Sequence, residues 1–236
     1  MKLRNLVWLV FLVLSAGLLP GIAMGGEQPE QLPSGFVYVD TVIPDIRIEL
    51  RYATTHNFVG ERIDGYLQPR CILTREAAVA LRQVQEELRP FGLGLKVFDA
   101  YRPQRAVDHF VRWARDPGAT RTKGEFYPVV SKEKLFEEEY ISDRSGHSRG
   151  STVDATIVPL QGEPPVRELD MGTGFDFFGP ESWPLYARMA PYQRANRMLL
   201  QTVMKKHGFR PYAKEWWHFT LEHEPFPETY FNFPIR

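Results

Sequence analysis

Two short segments, about sixty residues apart, carry most of the reactive side chains of this chain and constrain its fold most strongly. The first runs from Ser145 to Asp154 and contains His147, and the second is Glu215-Trp-Trp-His218. Together they supply two imidazoles, one carboxylate suited to a metal, and a second carboxylate three residues before the last histidine. A single site made from these groups requires a fold that brings both segments together.

This set of side chains is typical of a catalytic zinc site, which uses three protein ligands, an open position for water and a nearby general base. We predict one Zn²⁺ per chain, with His147, Asp154 and His218 as ligands and Glu215 as the base. Two plainer interpretations stay open. His218 is also consistent with a core histidine bonded to the backbone, and Glu215 with a surface residue paired with Lys214.

Local sequence supports the convergence of the first two ligands. Gly146 and Gly150 allow a tight turn around His147. The turn returns the chain onto a predicted strand, residues 153–158, in which Asp154 shares a face with the alternate residues. His147 and Asp154 are therefore expected to face one point.

The neighbouring residues in the sequence indicate roles for Glu215 as the general base and for Arg102 as the partner of an oxyanion. Glu215 precedes two tryptophans, and burial among them would raise the pKa of this carboxyl towards neutrality, which suits a proton acceptor. Arg102 follows a predicted strand and precedes a rigid proline, so it is our candidate for stabilising a developing oxyanion. A structural ion pair between Arg102 and Asp99 is the alternative.

The amino terminus has the pattern of a secretory signal peptide. Lys2 and Arg4 precede an apolar run from Leu6 to Leu19, and small residues follow near positions 23–25. We predict that residues 1–25 are cleaved and that the protein is exported, periplasmic or secreted, with no stable membrane partner afterwards. The apolar run is shorter than the ~20 residues of a spanning helix, so an uncleaved membrane anchor is the alternative.

The rest of the chain is expected to form a flexible arm, residues 26–35, and a single catalytic domain, residues 36–236. The leader carries two of the 29 basic residues and none of the 29 acidic ones, so the mature chain has a net charge of −2. That balance gives no indication of a nucleic-acid partner. The one cysteine, Cys71, excludes an internal disulfide and is expected to be a buried apolar residue.

Strands and helices alternate without a regular βαβ rhythm, which predicts an α+β fold with a largely antiparallel sheet. Periodicity and end signals predict the elements. The expected strands are 36–39, 46–52, 93–98, 153–158 and one strand or a strand pair within 209–221. The expected helices are 74–89, a helix that Pro103 starts, a short helix after Ser131, and 191–207.

Several segments in order along the mature chain resemble the D-alanyl-D-alanine dipeptidases of the vancomycin-resistance type, a family of zinc DD-peptidases. They include Asp99-Ala-Tyr-Arg102-Pro, Met171-Gly-Thr-Gly-Phe-Asp176-Phe and the two ligand segments. Further segments carry the same resemblance: Arg51-Tyr-Ala-Thr, Asn57-Phe-Val-Gly60, Asp64-Gly-Tyr66, Glu224-Pro-Phe-Pro and Tyr230-Phe-Asn-Phe-Pro.

The resemblance implies that the enzyme hydrolyses the small dipeptide D-Ala-D-Ala, with zinc on the three ligands above, Glu215 as base and Arg102 stabilising the transition state. It also implies that Ser145 and Asp176 help to hold the substrate; a carboxylate suits the free ammonium of a dipeptide. The implied fold is the α+β DD-peptidase fold, also described as hedgehog/DD-peptidase-like, with a central antiparallel sheet flanked by helices.

Other functions stay open at this stage. A D,D-carboxypeptidase or endopeptidase with the same chemistry would trim longer peptidoglycan peptides in an open cleft. A non-enzymatic zinc module is disfavoured, since structural zinc sites close with a fourth ligand and favour cysteine. An exported dipeptidase would act in cell-wall peptide turnover or in glycopeptide resistance. The sequence indicates no oligomeric state.

Overall fold

The structure of the protein is a computed structural model that describes residues 32–161 and 167–236. Leu32–Arg236 forms one compact unit. The predicted signal peptide and residues 26–31 of the predicted arm lie outside the described residues. Residues 32–35 enter a turn in which the Phe36 amide donates to the Pro33 carbonyl over 3.1 Å. Within the described part of the chain, no helix combines the length and apolar character needed to cross a bilayer.

Seven strands and five α-helices form in the described residues. The strands are β1 Phe36–Tyr38, β2 Arg47–Ile48, β3 Ile72–Thr74, β4 Leu93–Asp99, β5 Thr152–Pro159, β6 Phe209–Tyr212 and β7 Glu215–Leu221. The helices are α1 Val39–Val42, α2 Arg75–Leu88, α3 Gln104–Arg115, α4 Lys123–Phe126 and α5 Pro191–Lys206.

The central sheet has five strands in the order β2-β4-β5-β7-β6. Every neighbouring pair is antiparallel except β2 and β4, which run parallel. Strands β1 and β3 form a separate antiparallel pair. Helices α2 and α5 contact each other and pack against the sheet. These features confirm the predicted α+β class with a largely antiparallel sheet.

Strand β5 lies at the centre of the sheet and is buried on both faces, with Pro159 alone partly exposed. Polar residues alternate with apolar ones along β5, yet both faces of the strand are covered. Its polar side chains therefore need partners, and Thr152 shares a hydrogen bond of 2.9 Å with Thr220 of β7. The Asp154 carboxylate is buried in the same strand, which sets up the site described below.

The local sequence signals for the start, the apolar face and the end of helix α2 predicted this helix correctly. The Thr74 hydroxyl accepts a hydrogen bond from the Ala77 amide, as an N-cap does. The apolar stripe of the helix, including Leu81 and Val84, is fully buried. Gly92 then adopts a left-handed conformation, with φ +70°, after the short turn that ends the helix.

The predicted strand 46–52 is wrong over most of its length. Strand β2 covers only Arg47–Ile48, and the chain then turns into a 3-10 helix at Arg51–Ala53. The alternating burial that suggested a strand is real, since Leu50 and Tyr52 are buried. In this turn Tyr52 points towards Asp176, 124 residues away, and its hydroxyl donates a hydrogen bond to that carboxylate.

Gly150 determines how the His147 turn joins β5. Its φ is +83°, and its amide donates to the His147 carbonyl at the end of the 3-10 turn Gly146–Arg149. Its carbonyl accepts from the Thr74 amide over 2.7 Å. A Cβ atom at this position would lie 2.3 Å from a ring carbon of Phe36. Both the conformation and the space therefore require glycine.

We expect Gly150→Ala to lower the free energy of unfolding by about 2–5 kcal/mol. About 1–2 kcal/mol comes from the left-handed conformation, and about 1–3 kcal/mol comes from overpacking against Phe36. Denaturant unfolding of the two proteins measures the difference.

Gly92→Ala is the matched control, because Gly92 also has a positive φ but nothing lies within 4 Å of a Cβ placed there. This substitution should cost only the conformational part, about 1–2 kcal/mol. Equal losses in the two variants would show that the Phe36 contact does not constrain the turn.

Candidate active site

The sheet register brings two of the predicted ligands together. Asp154 of β5 is directly opposite His218 of β7, and on the other side it is opposite Asp99 of β4. Directly opposed residues of antiparallel strands project to the same face. Three neighbouring strands therefore present Asp99, Asp154 and His218 side by side. His147 joins them from the 3-10 turn that precedes β5.

The three predicted ligand side chains converge tightly. His147 Nε2 lies 3.3 Å from Asp154 Oδ1 and 3.2 Å from His218 Nδ1. His218 Nδ1 lies 3.1 Å from the same carboxylate oxygen. In the described residues, these three form the one group of histidine, cysteine or acidic side chains close enough to hold a metal ion.

This donor set fits a zinc ion. Ligand bonds of about 2.0–2.1 Å in a tetrahedron place neighbouring donor atoms about 3.3 Å apart, close to the separations found here. Asp154 Oδ1 is buried and accepts no hydrogen bond. An ionised oxygen in that position needs a cation.

The other nitrogen of His147 fixes the orientation of its ring. Nδ1 is 2.7 Å from the Ala100 carbonyl, to which it donates, so Nε2 keeps a free lone pair towards Asp154 and His218. Ligand histidines are commonly held in this way by a backbone carbonyl. Burial also lowers the pKa of His147, which favours the neutral form that binds a metal.

The acidic groups give the centre a preference for positive charge. Although burial opposes ionisation of Asp154, the adjacent His147 and His218 hold the pKa of this carboxyl well below its usual range. Burial also disfavours charge on His218, yet Asp154 and Glu215 raise the pKa of its imidazole. A cation at this point is therefore electrostatically stabilised.

Arg102 both forms the structural ion pair and faces the site. Its Nε donates to Asp99 Oδ2 over 2.9 Å, and its Nη2 lies 3.6 Å from Asp154 Oδ2. The guanidinium carbon is also about 5 Å from the ring centroids of Tyr52 and Phe110. The two alternatives raised by the sequence are thus compatible, because Asp99 holds Arg102 in place at the edge of the site.

Asp99 was not among the predicted site residues. It is fully buried, accepts a hydrogen bond of 2.5 Å from the Tyr66 hydroxyl, and lies 3.6 Å from His147 Nδ1. One carboxylate therefore contacts both Arg102 and a predicted metal ligand. Its position at the end of a strand, three residues before Arg102, was the available sequence signal.

Glu215 lies beside the three ligands without belonging to their group. Its Oε2 is 3.4 Å from His218 Nδ1. Burial raises the pKa of Glu215 to about 7, with Asp154 contributing in the same direction. The alternative pairing with Lys214 does not occur, because Lys214 forms its ion pair with Glu139 at 2.7 Å.

Asp176 lies in the same pocket, held by a residue that the sequence did not single out. The Tyr52 hydroxyl is 2.9 and 3.1 Å from the two carboxylate oxygens of Asp176. Asp176 is buried and has a positive φ of 62°, a conformation that non-glycine residues rarely adopt. Burial and the nearby Asp154 raise the pKa of Asp176, so a positively charged ligand would favour its ionised form.

Ser145 has a local structural task as well as a place in the pocket. Its hydroxyl accepts a hydrogen bond of 3.3 Å from the His147 amide and caps the turn that carries this ligand. A role in holding substrate stays a prediction.

All seven predicted site residues line one pocket of about 180 Å³. Aromatic side chains form much of its wall: Tyr52, Phe58, Phe110, Tyr140, Phe178, Tyr212 and Trp217. Apart from Trp217, which was expected to surround Glu215, sequence reasoning gave none of them a role in the site. Residues 139–145 form another wall, since most of them also line the pocket.

Comparison with known proteins agrees with this geometry. Residues 33–236 match the Peptidase_M15 family model, described as D-ala-D-ala dipeptidase. The chain is 44% identical to a D-alanyl-D-alanine dipeptidase of Streptomyces coelicolor, over 85% of this chain and 98% of that protein. It is 39% identical to a protein of the same name from Enterococcus faecalis, over 86% of this chain and 100% of that protein.

Among solved structures, the chain is similar to a mutant of the vancomycin resistance D,D-pentapeptidase VanY in complex with Zn(II). The TM-score is 0.40 and the identity 13%, over 67% of this chain and 77% of that one. The assignment rests on the sequence matches, which span nearly all of the described residues. The chain belongs to the Peptidase_M15 family of D-Ala-D-Ala dipeptidases and is an enzyme of the peptidase class.

Proposed function

We propose that this protein is a zinc-dependent dipeptidase that hydrolyses D-alanyl-D-alanine to two D-alanines. The observation that carries the proposal is the convergence of His147, Asp154 and His218 in one small pocket with Glu215 and Arg102. When bound, a zinc ion supplies Lewis acidity, which lowers the pKa of a water at its open position to ~7.

Glu215 is the proposed general base. Its carboxylate borders the ligand group, and a pKa of about 7 matches the proton acceptor that hydrolysis at neutral pH requires. It takes a proton from the attacking water at its carboxylate oxygen and delivers it to the departing amine.

Arg102 is the proposed partner of the oxyanion. Burial opposes a charge here, but the buried Tyr52 and Asp99 that surround it raise the pKa of Arg102 well above its usual range, so it stays cationic. Asp99 fixes the side chain through its Nε, which leaves the terminal nitrogens near the site. A cation already held in place stabilises developing negative charge with little reorganisation.

Pocket size and charge support the dipeptide over longer substrates. Pockets for drug-sized ligands measure about 300–1,000 Å³, whereas this one is about 180 Å³. Asp176 provides an acidic partner for the free ammonium of a dipeptide, and Ser145 is proposed to assist in holding the substrate. The alternative is a D,D-carboxypeptidase or endopeptidase that trims longer peptidoglycan peptides.

We further propose an exported enzyme, periplasmic or secreted after cleavage near residues 23–25, that works in cell-wall peptide turnover or glycopeptide resistance. The pattern of the leader supports export, and an uncleaved membrane anchor is the alternative. The net charge of the mature chain gives no support to a nucleic-acid partner.

The substrate class is tested by incubating the purified, zinc-loaded protein with D-Ala-D-Ala and, separately, with a pentapeptide that ends in the same two residues. We expect free D-alanine from the dipeptide at a far higher kcat/KM, because the small pocket excludes the longer chain. Turnover of the pentapeptide alone would reject the dipeptidase and favour the carboxypeptidase.

Glu215→Gln should keep the metal and lower kcat by about 100- to 10,000-fold, because an amide cannot accept the proton. Glu222→Gln is the matched control, an exposed residue outside the pocket, and should keep wild-type activity. Elemental analysis of both variants verifies the zinc content. A Glu215→Gln enzyme with near-normal kcat would remove this residue from the mechanism.

His218→Ala should bind zinc much more weakly, because two protein ligands remain from a set of three. Elemental analysis after dialysis against a chelator measures the retained zinc. The exposed His223 provides the control, and His223→Ala should retain the ion as the wild type does. Full zinc retention by His218→Ala would contradict the assignment of this ligand.

A further inference from the structure

Arg144 is a charged residue in the lining of the pocket, and it has no role in the chemistry proposed above. It lies in the pocket wall formed by residues 139–145, directly before Ser145, and it is exposed to solvent. Its amide donates to the Ser142 hydroxyl over 3.4 Å. A residue that is both exposed and part of the lining lies at the mouth of the pocket.

The charge of Arg144 is not neutralised by the protein. In the parts of the chain that the structure describes, its guanidinium forms no ion pair, and its contact is with the ring of Tyr230, 5.1 Å away. Arg149 is near the same ring, yet Glu224 neutralises it through two hydrogen bonds of 2.6 and 2.9 Å. Of these two arginines, Arg144 is therefore the one whose charge is available to an external anion.

The other charged groups of the pocket have a partner in the protein or a role in the proposed chemistry. Arg102 is held by Asp99, and Glu139, which lies in the same wall as Arg144, is paired with Lys214. The buried interior carries the carboxylates of Asp154 and Asp176. The pocket thus carries buried carboxylates beside Arg102 and, at its mouth, a cation without an ionic partner.

We infer that Arg144 binds the C-terminal carboxylate of the substrate and so selects peptides whose C-terminus is free. The inference rests on the proposed dipeptidase function. A dipeptide is a zwitterion, and its ammonium and carboxylate match an acidic interior and a basic mouth. A guanidinium binds a carboxylate through two parallel hydrogen bonds, and its stacking on Tyr230 limits the freedom of the side chain before substrate arrives.

The test compares D-Ala-D-Ala with its C-terminal amide, which has the same shape and no negative charge. Full-length zinc-loaded enzyme is assayed for kcat/KM on both compounds. The wild type should prefer the acid. Arg144→Gln should lower kcat/KM for the acid by about 10- to 100-fold. The factor by which it lowers kcat/KM for the amide should be at least ten times smaller. Arg144→Lys should retain part of the preference, since it keeps the charge but not the planar fork.

Arg82→Gln is the matched control, because Arg82 lies on the exposed face of α2 in an ion pair with Glu86. It should leave both rates unchanged. In an active enzyme, equal effects of Arg144→Gln on the acid and the amide, or no effect on either, would overturn the carboxylate contact alone. A wild-type protein that cleaves neither compound would reject the proposed function, and the inference with it.

Discussion

The pairing of Asp154 with His218 across strands β5 and β7 is the constraint on which the site depends. Side chains of a strand alternate between two faces, so a slip of one residue would send one ligand to the opposite side of the sheet. The apolar neighbours of these residues, Val153 and Phe219, pair in the same register and are fully buried. The burial of the core thus fixes the geometry of the candidate metal site.

Strand β4, the third strand of this group, adds a second buried carboxylate, that of Asp99. The partners of Asp99 explain how the fold tolerates this buried charge. Asp99 is paired with Arg102 and bonded to Tyr66, and removing Arg102 would leave a charge buried without compensation. The same contacts place Arg102 beside Asp154 and leave His147 oriented by the neighbouring Ala100 carbonyl. The structural ion pair therefore also places Arg102 for its proposed catalytic role, although the sequence presented the two as alternatives.

Sequence patterns predicted the structure well where the determining interactions are between residues close in the chain. Capping at Thr74 and the apolar stripe of α2 are read from neighbouring residues, and the structure agrees with both. The turn at His147 brings this histidine beside Asp154, as the surrounding glycines predict, and the role of the pair as metal ligands stays a prediction. Such local patterns did not predict the contacts between segments that are distant in the sequence. Tyr52 was expected in a strand, but it lies in a 3-10 turn and contacts Asp176, 124 residues away. Asp99 stood in a recognised segment, but only as an ion-pair partner of Arg102 and not as a neighbour of His147. The aromatic walls of the pocket come from several separate segments.

The most direct test of this account is anomalous diffraction at the zinc edge from crystals of the zinc-loaded protein. The account predicts one peak about 2.0–2.2 Å from His147 Nε2, an Asp154 oxygen and His218 Nδ1, with the fourth position open to solvent. A peak elsewhere, no peak, or a fourth protein ligand such as Glu215 closing the site would contradict it.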